Sequence, residues 1–198
     1  DRCALLEGLR AGDPGARQIA IEAWEVDAVE AERLGEMNLR ARLEDSALSI
    51  LDPESFRQVG KSLASLIAGR ASWSVATGNK IKVGLADDGL RRVAIQHRIK
   101  HVAGVWRKMH EKHLAVEEVH DLFAFRIIVA EHDDCYLALE TVHRLFDPEP
   151  FRFKDYISNP KANGYQSLHT SVRDRSGFIF ELQVRSLDMH RAAEGGHA

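Results

Sequence analysis

The sequence has little of what several classes of protein require. Its 198 residues include only two cysteines, Cys3 and Cys135, which are too few for a disulfide framework or a cysteine-only zinc site. No apolar run approaches the roughly 20 residues that a membrane-spanning helix needs. The sequence also lacks the glycine-rich P-loop and dinucleotide-binding motifs and the HExxH zinc motif. These absences argue against secreted disulfide scaffolds, membrane-spanning helices and the commonest nucleotide and zinc sites.

The composition is that of a folded protein. Hydrophobic residues make up 44% of the chain, which is enough to bury a core. The sequence begins at Asp1 rather than at methionine, and no signal-peptide pattern follows. We therefore expect a segment of a longer protein, without a membrane anchor and located in the reducing cytoplasm.

Charge is distributed unevenly along the chain. The net charge is −3, yet residues 1–60 carry 13 acidic and 7 basic side chains, and residues 91–112 carry seven Lys or Arg against one Glu. Charge alone leaves two interpretations of the basic segment open: a solvated helix face, which is the commoner case, or a surface that binds phosphate.

The periodicity of apolar residues predicts an α+β protein, a mixed β-sheet flanked by helices and preceded by an all-helical segment. Helical spacing runs through residues 1–70, with helix starts at Asp13-Pro14 and Pro53 and a stop at Gly35. Four glycines among residues 69–90 suggest that residues 71–90 are a connection. Residues 91–198 then alternate between strand and helix patterns, and the apolar run 122–129 predicts a buried central strand.

Several polar residues interrupt the predicted strands. Asp121 lies at the start of the central strand, where a carboxylate could hold Mg²⁺, although a helix-cap or loop role is commoner. Arg126 lies inside the apolar run and should have a partner, because buried arginine is rarely unpaired. Glu181, Gln183 and Arg185 share one face of the last strand, which is either solvent-exposed or one wall of a polar cleft.

The long segment 147–164 contains basic residues, tyrosines, Asn and Gly. These can bind phosphate and stack on a base, or they can form a mobile surface turn.

A set of motifs resembles the (p)ppGpp synthetase domain of the RelA/SpoT homologue family. The longest is RFKDYISNPKANGYQSLHT at residues 152–170, and it is joined by HRIK (97–100), WRKM (106–109), DLFAFR (121–126), ELQVR (181–185) and MHRAAE (189–194). The motifs follow the family's order and spacing. Residues 43–45 and 51–54 also resemble the linker between the hydrolase and synthetase domains of long enzymes in this family.

This resemblance implies a nucleotidyltransferase-like fold and a GTP diphosphokinase. Such an enzyme transfers the β,γ-pyrophosphate of ATP to the 3′-hydroxyl of GDP or GTP and releases AMP. The implied cofactor is Mg²⁺ or Mn²⁺. The implied partners, besides ATP and GDP/GTP, are the ribosome and uncharged tRNA, which would be contacted through other regions of the protein. The resemblance is also compatible with an oligomeric protein.

The resemblance also assigns roles to individual residues. Asp121 and Glu181 are the implied catalytic and metal-binding carboxylates, with Glu181 either a second metal ligand or the base for the 3′-hydroxyl. The implied ATP-binding residues, with the arginines flanking adenine and the lysines on the phosphates, are Arg98, Lys100, Lys108 and Arg126. Those on the acceptor side, with the tyrosine on guanine, are Lys154, Lys161, Asn163, Tyr165, His169, Gln183 and Arg185.

Some positions depart from the family pattern. His97 replaces a usual Gly, Gly104 replaces a usual Ser, and Leu5 replaces the Asn of a hydrolase-domain motif. Leu5 hints at a degenerate hydrolase domain, whereas RFKD resembles the version in bifunctional enzymes. Two further functions stay open: a non-catalytic, nucleotide-sensing regulatory module, and an enzyme that uses another acceptor, such as an adenine nucleotide or an RNA 3′ end.

Overall fold

A computed structural model describes residues 2–195 of the chain, which form two compact units. Within these residues, the first unit comprises 2–68 and 101–119, and the second comprises 69–100 and 120–195. In chain order the α-helices are α1 (Arg2–Gly8), α2 (Ala16–Glu22), α3 (Ala28–Arg33), α4 (Met37–Leu51), α5 (Pro53–Gly69), α6 (Ala71–Asp87), α7 (Val102–Lys112), α8 (Asp134–Leu145) and α9 (Leu187–Gly195). The strands are β1 (Ala94–Ile99), β2 (Phe123–Val129), β3 (Asp147–Pro148), β4 (Lys154–Asp155), β5 (Leu168–Arg173) and β6 (Ile179–Ser186).

The first unit is helical, as the apolar periodicity predicts. A π-helical turn at Ala23–Asp27 joins α2 to α3, and the chain turns at Gly35, which has a φ of +81°. Leu43 on α4 packs among buried alanines of α2 and α3, whose small side chains let the helices approach closely. Helix α4 begins two residues after Gly35 and ends two residues before Pro53, in agreement with the predicted helix stop and the predicted helix start.

The sequence predicts a connection at 71–90 without settling its local structure, and most of this segment forms the 17-residue helix α6. The glycines of this helix provide close packing rather than turns. A Cβ on Gly84 would lie 2.7 Å from Cδ1 of Leu145, and one on Gly78 would lie 3.5 Å from the ring of Phe125. Glycine content alone therefore did not reveal the helix.

The second unit contains one mixed six-stranded sheet in the order β1-β2-β6-β5-β3, with β4 also paired to β5. Strand β2 is antiparallel to β1 and parallel to β6, and β5 is antiparallel to β6, β3 and β4. The mixed α+β class is as predicted. Strand β1 begins at Ala94, whereas the sequence pattern predicts a start at Arg92. Two short strands, β3 and β4, lie in the long segment 147–164, which was expected to be a loop.

One face of this sheet is apolar and packs against α6 and α8. The indole of Trp73 on α6 lies 5.8 Å from the ring of Phe123 and 5.2 Å from that of Phe180, and its Nε1 donates a hydrogen bond to Asp174 at 2.7 Å. Because side chains alternate along a strand, the residues between these aromatics point to the opposite face of the sheet. No helix among the described residues is long and apolar enough to cross a membrane.

Candidate active site

Strand register brings polar residues from four strands onto the second face of the sheet. Arg126 on β2 lies opposite Gln96 of β1 and Gln183 of β6, and Gln183 lies opposite His169 of β5. Since directly paired residues point to the same side of a sheet, these side chains form one continuous polar row. Two further registered sets run beside it, namely Arg98, Ala124, Glu181 and Ser171 on one side, and Ile128 and Arg185 on the other.

Glu181 lies in the middle of this polar face and is held by its neighbour on the same strand. The Nε2 of Gln183 donates a hydrogen bond to Oε1 of Glu181 at 2.6 Å. The Nδ1 of His169 lies 3.6 Å from the same oxygen. The carboxylate side chain is 21% exposed, so a ligand can reach it while strand neighbours fix its position.

His169 is a neutral group in this setting. Burial, together with the charges of the nearby cations Lys161 and Lys154, lowers its pKa to about 3. The hydroxyl of Tyr165 lies 2.9 Å from its Nε2, so the tyrosine can donate to that nitrogen. The proton of the neutral ring then resides on Nδ1, which faces Glu181, and the contact is polar rather than an ion pair.

Arg126 is a nearly buried cation of the polar face. Its side chain is 7% exposed, and Nη1 donates to Oε1 of Gln96 at 3.2 Å and to Oε1 of Glu194 at 2.9 Å. Burial, together with the charges of Arg98 and Arg185, lowers the pKa of Arg126 to about 10. The guanidinium therefore remains charged near neutral pH, as an anion-binding group must.

Lys100 and Asp121 form an ion pair at one end of β1 and β2. The Nζ of Lys100 lies 3.1 Å from Oδ2 of Asp121, and both side chains are about one-fifth exposed, at 22% and 20%. The backbone N–H of Lys100 also donates to the carbonyl of Leu122 at 3.0 Å, which fixes the two segments to each other. A cation and a carboxylate thus lie together where β2 begins.

The segment predicted to bind the acceptor is folded rather than a mobile turn. Oδ1 of Asp155 accepts hydrogen bonds from the backbone N–H groups of Ile157 and Ser158, at 2.9 and 2.8 Å. Oδ1 of Asn163 accepts one from the N–H of Tyr165 at 3.2 Å, in a turn that requires a φ of +75° at Gly164. These bonds hold the segment in a defined conformation.

Lys161 lies beside the aromatic side chains of this segment. Its Nζ lies 5.1 Å from the ring centroid of Tyr156 and 5.3 Å from that of Tyr165. The exposed Lys154 lies opposite His169 in the strand register. A cation and an aromatic ring therefore lie close to His169, which contacts Glu181.

The structure does not bring every predicted residue into this arrangement. Lys108 lies on α7, in the first unit, so its predicted contact with ATP stays a prediction. Arg185 is only 1% exposed, and its Nη2 is bonded to Nδ1 of His190 and to Oε1 of Glu194. A direct contact of Arg185 with the acceptor also stays a prediction.

Of the departures from the family pattern, His97 lies on the apolar face of the sheet, and Gly104 lies on α7 in the first unit. The ring of His97 lies 5.1 Å from that of Phe125, on the apolar face of the sheet. The next residue along β1, Arg98, points to the polar face. A Cβ on Gly104 would lie 2.8 Å from the ring of His101. Gly104 therefore leaves room for a neighbouring side chain rather than for a ligand.

Sequence reasoning missed two residues of the polar face, Gln96 and Glu194. The two-residue alternation of β1 could have placed Gln96 beside Arg98. Glu194 belongs to a motif that the resemblance used, but a motif alone does not show that its carboxylate reaches Arg126.

A divalent cation finds few protein ligands in the described residues, because they include no cluster of three or more His, Cys, Asp or Glu side chains suited to a metal. Asp121 and Glu181 do supply the hard carboxylate oxygens that Mg²⁺ prefers. Mg²⁺ is commonly bound by one or two carboxylates, with phosphate oxygens and water completing its shell. The donor set fits a metal that arrives with a nucleotide.

Comparison with known proteins places the chain in a family. Residues 97–198 match the profile described as a region found in RelA / SpoT proteins. The chain is 39% identical over 182 residues to a probable guanosine-3′,5′-bis(diphosphate) 3′-pyrophosphohydrolase of Synechocystis sp., covering 92% of this chain and 24% of the relative. It is 39% identical over 168 residues to a GTP pyrophosphokinase of Haemophilus influenzae, covering 85% and 22%.

The fold also has a solved counterpart. The crystal structure of small alarmone synthetase 2 from Bacillus subtilis matches with a TM-score of 0.52 and 25% sequence identity, covering 68% of this chain and 75% of that one. The chain spans about a quarter of the length of the curated relatives named above. Because the RelA / SpoT profile matches residues 97–198, just over half of the chain, the chain belongs to the RelA/SpoT family.

Proposed function

We propose that this chain is a (p)ppGpp synthetase, which transfers the β,γ-pyrophosphate of ATP to the 3′-hydroxyl of GDP or GTP. The observation that carries the proposal is the central position of Glu181 on a face otherwise rich in cations, in a chain of the RelA/SpoT family. Transfer of this kind needs positioning and charge neutralisation more than covalent chemistry, and the polar face offers both.

On the donor side, the guanidinium groups of Arg98 and Arg126 flank the adenine of ATP. Both lie on the polar face, two residues away from each other in the β1–β2 register. Planar guanidinium groups stack well on aromatic rings, which suits them to a base. Lys100 binds the phosphate chain, and Lys108 is a second candidate for the same role.

On the acceptor side, Tyr165 stacks on guanine, and Lys154 and Lys161 neutralise the acceptor phosphates. Asn163 shapes the turn that presents Tyr165, through its bond to the tyrosine N–H. His169 fixes the hydroxyl of Tyr165 and remains neutral, so it adds no charge beside Glu181.

Glu181 accepts the proton of the 3′-hydroxyl as that oxygen bonds to the β-phosphorus of ATP. The bond between the β-phosphorus and the oxygen bridging to the α-phosphate breaks, and AMP leaves with that oxygen. Gln183 orients the carboxylate for this proton transfer, which such a base typically accelerates by 10²- to 10⁴-fold.

Asp121, with Glu181 as a second candidate ligand, would hold Mg²⁺ or Mn²⁺. The metal would neutralise the charge that develops on the phosphate oxygens. Contacts with the ribosome or uncharged tRNA, an oligomeric state and a cytoplasmic location are expectations that come from the family resemblance.

The proposal is tested by pairing transfer with binding. Glu181→Gln and Asp121→Asn should each lower transfer from labelled ATP to GDP by at least 100-fold. Glu181→Gln should still bind an α,β-methylene ATP analogue within about threefold of the unchanged protein. Glu140→Gln, which alters an exposed glutamate on α8, is the matched control. Nucleotide binding without transfer by the unchanged, folded protein would support the regulatory-module alternative instead.

A further inference from the structure

The carboxylate of Glu194 on α9 lies between two arginines that belong to adjacent parallel strands. Its Oε1 accepts hydrogen bonds from Nη1 of Arg126 at 2.9 Å and from Nη2 of Arg185 at 2.8 Å. The arginine side chains are 7% and 1% exposed, whereas that of Glu194 is 35% exposed. One carboxylate of a terminal helix thus joins two buried cations of the polar face.

The two contacts fix the orientation of Arg126. Gln96 on β1 and Glu194 on α9 both accept from Nη1, and its Nε has no hydrogen-bond partner among the described residues. A guanidinium on a flexible stem can rotate unless such bonds hold its plane. Without Glu194, Oε1 of Gln96 would be the remaining hydrogen-bond acceptor at Nη1 among the described residues.

Glu194 also balances charge where the arginines crowd together. Burial and the neighbouring cations Arg98 and Arg185 disfavour the charged form of Arg126, whereas Glu194 favours it and raises the pKa of the guanidinium. Two desolvated like charges on neighbouring strands are costly unless an anion is shared between them.

Arg185 anchors this arrangement rather than facing the solvent. Its Nη2 contacts both His190 and Glu194, one turn apart on α9, so the buried arginine holds the helix against the sheet. Arg185 contacts Glu194, and Glu194 in turn contacts Arg126. These contacts link the position of α9 to the orientation of a guanidinium that the proposed function places on adenine.

We infer that Glu194 is a positioning residue for ATP binding, which holds the Arg126 guanidinium in the plane that stacks on the adenine ring. This inference rests on the proposed function and adds to it a residue on α9 that the reaction itself does not touch. A positioning residue of this kind affects the affinity for ATP more than the rate of transfer.

The opposite role, in which Glu194 competes with ATP for the arginines, is also testable. A carboxylate that occupies two cationic side chains could compete with nucleotide phosphates, and α9 would then have to release Glu194 before ATP binds. The two roles predict opposite signs, because removing a competitor tightens ATP binding and removing a positioning group weakens it.

The test is Glu194→Gln in the intact protein, a substitution that keeps the size of the side chain and removes its charge. We expect the KM for ATP and the dissociation constant of an α,β-methylene ATP analogue to rise about tenfold. The kcat and the KM for GDP should change less than about twofold. Asp188→Asn is the matched control, because Asp188 lies on the same helix with its side chain 93% exposed and 3.4 Å from the exposed Arg191.

A double-mutant cycle separates positioning from a purely structural role. In an Arg126→Met background, Glu194→Gln should weaken analogue binding by less than about twofold, since the group it positions is gone. Thermal melting of each variant identifies any general loss of folding. A tenfold effect that persists without Arg126 would overturn the inference.

Two other outcomes would also overturn it. Unchanged or tighter analogue binding by Glu194→Gln, in a protein that is active, would contradict the positioning role alone. Failure of the unchanged protein to bind the analogue at all would contradict the proposed function and the inference together, so the two failures are distinguishable.

Discussion

At the residue scale, the chemistry depends on which groups around Glu181 carry charge. The Nδ1 of His169 lies 3.6 Å from Oε1 of Glu181, which is within ion-pair distance. Burial nevertheless keeps the imidazole neutral over the physiological pH range. The carboxylate is therefore positioned by a neutral ring and an amide rather than by a cation. The neutral state of His169 could not be predicted from the sequence, which shows only that a His and a Glu occur on predicted strands.

The low pKa of His169 has a consequence for stability. Its folded pKa of about 3 lies below the roughly 6.5 of an unfolded histidine, so the unfolded state binds more protons between these values. The contribution of His169 is fully present above about pH 6.5 and is lost as the pH falls toward 3. In this window the group should add up to about 1.4 kcal/mol per pH unit to the slope of the unfolding free energy.

Urea unfolding at pH 4.5, 5.5 and 6.5 measures that slope. We expect His169→Gln to unfold with a shallower pH dependence than the unchanged protein. His120→Gln, which changes an exposed histidine of the same unit, should retain the original slope. Equal slopes for His169→Gln and the unchanged protein would show that His169 is protonated in the folded state.

At the element scale, helix α7 is held at its N-terminus by side chains of α4. Oδ1 of Asp45 accepts from the backbone N–H of Ala103 at 2.7 Å and caps the helix. Next to it, Glu44 is 3% exposed and bonded to His101, Arg107 and Arg40. Burial opposes ionisation of Glu44, but these three bonds lower its pKa to about 2.

Gly104 makes this arrangement possible. A Cβ there would lie 2.8 Å from the His101 ring, which could not move without losing its 2.8 Å bond to Glu44. Gly104→Ala should therefore lower the free energy of unfolding by about 1–2 kcal/mol, although alanine favours a helix.

Gly60→Ala is the matched control within α5. Its added Cβ meets only Cγ2 of Val102, at an ordinary 3.9 Å, so helix propensity should raise the free energy of unfolding by about 0.5–1 kcal/mol. Chemical denaturation of both variants gives the two signs. Stabilisation by Gly104→Ala would mean that His101 yields without cost.

The elements also show how far a sequence determines a fold. The apolar, β-branched run of β2 and the Pro53 start of α5 were predictable, because burial and proline geometry act locally. Helix α6 was missed, since its glycines Gly78 and Gly84 match distant neighbours that no local pattern reveals. The contact of Glu194 with Arg126 likewise depends on how α9 packs onto the sheet.

At the scale of the whole molecule, the basic residues that cluster in the sequence are distributed over both units. The basic segment 91–112 crosses from the second unit to the first after Lys100, and its role in phosphate binding stays a prediction. Lys100 pairs with Asp121 in the second unit, whereas Arg107 pairs with the buried Glu44 in the first.

Several residues that the motif resemblance assigns to a site lie on the polar face. Arg126, His169 and Glu181 come from three different strands, and strand pairing brings them together with Gln183. Physical reasoning from single residues left Asp121 and Glu181 ambiguous, because a lone carboxylate has several ordinary roles. Their roles in the reaction remain predictions that activity measurements decide.

The identity of the nucleotide products tests the central proposal most directly. The intact protein is incubated with ATP labelled at the γ-phosphate, GDP and Mg²⁺, and all nucleotides are separated and quantified. The account predicts a labelled guanosine nucleotide that carries the transferred pyrophosphate, formed with AMP in a one-to-one ratio. Formation of ADP instead of AMP, or no labelled guanosine nucleotide from a folded protein that binds ATP, would contradict it.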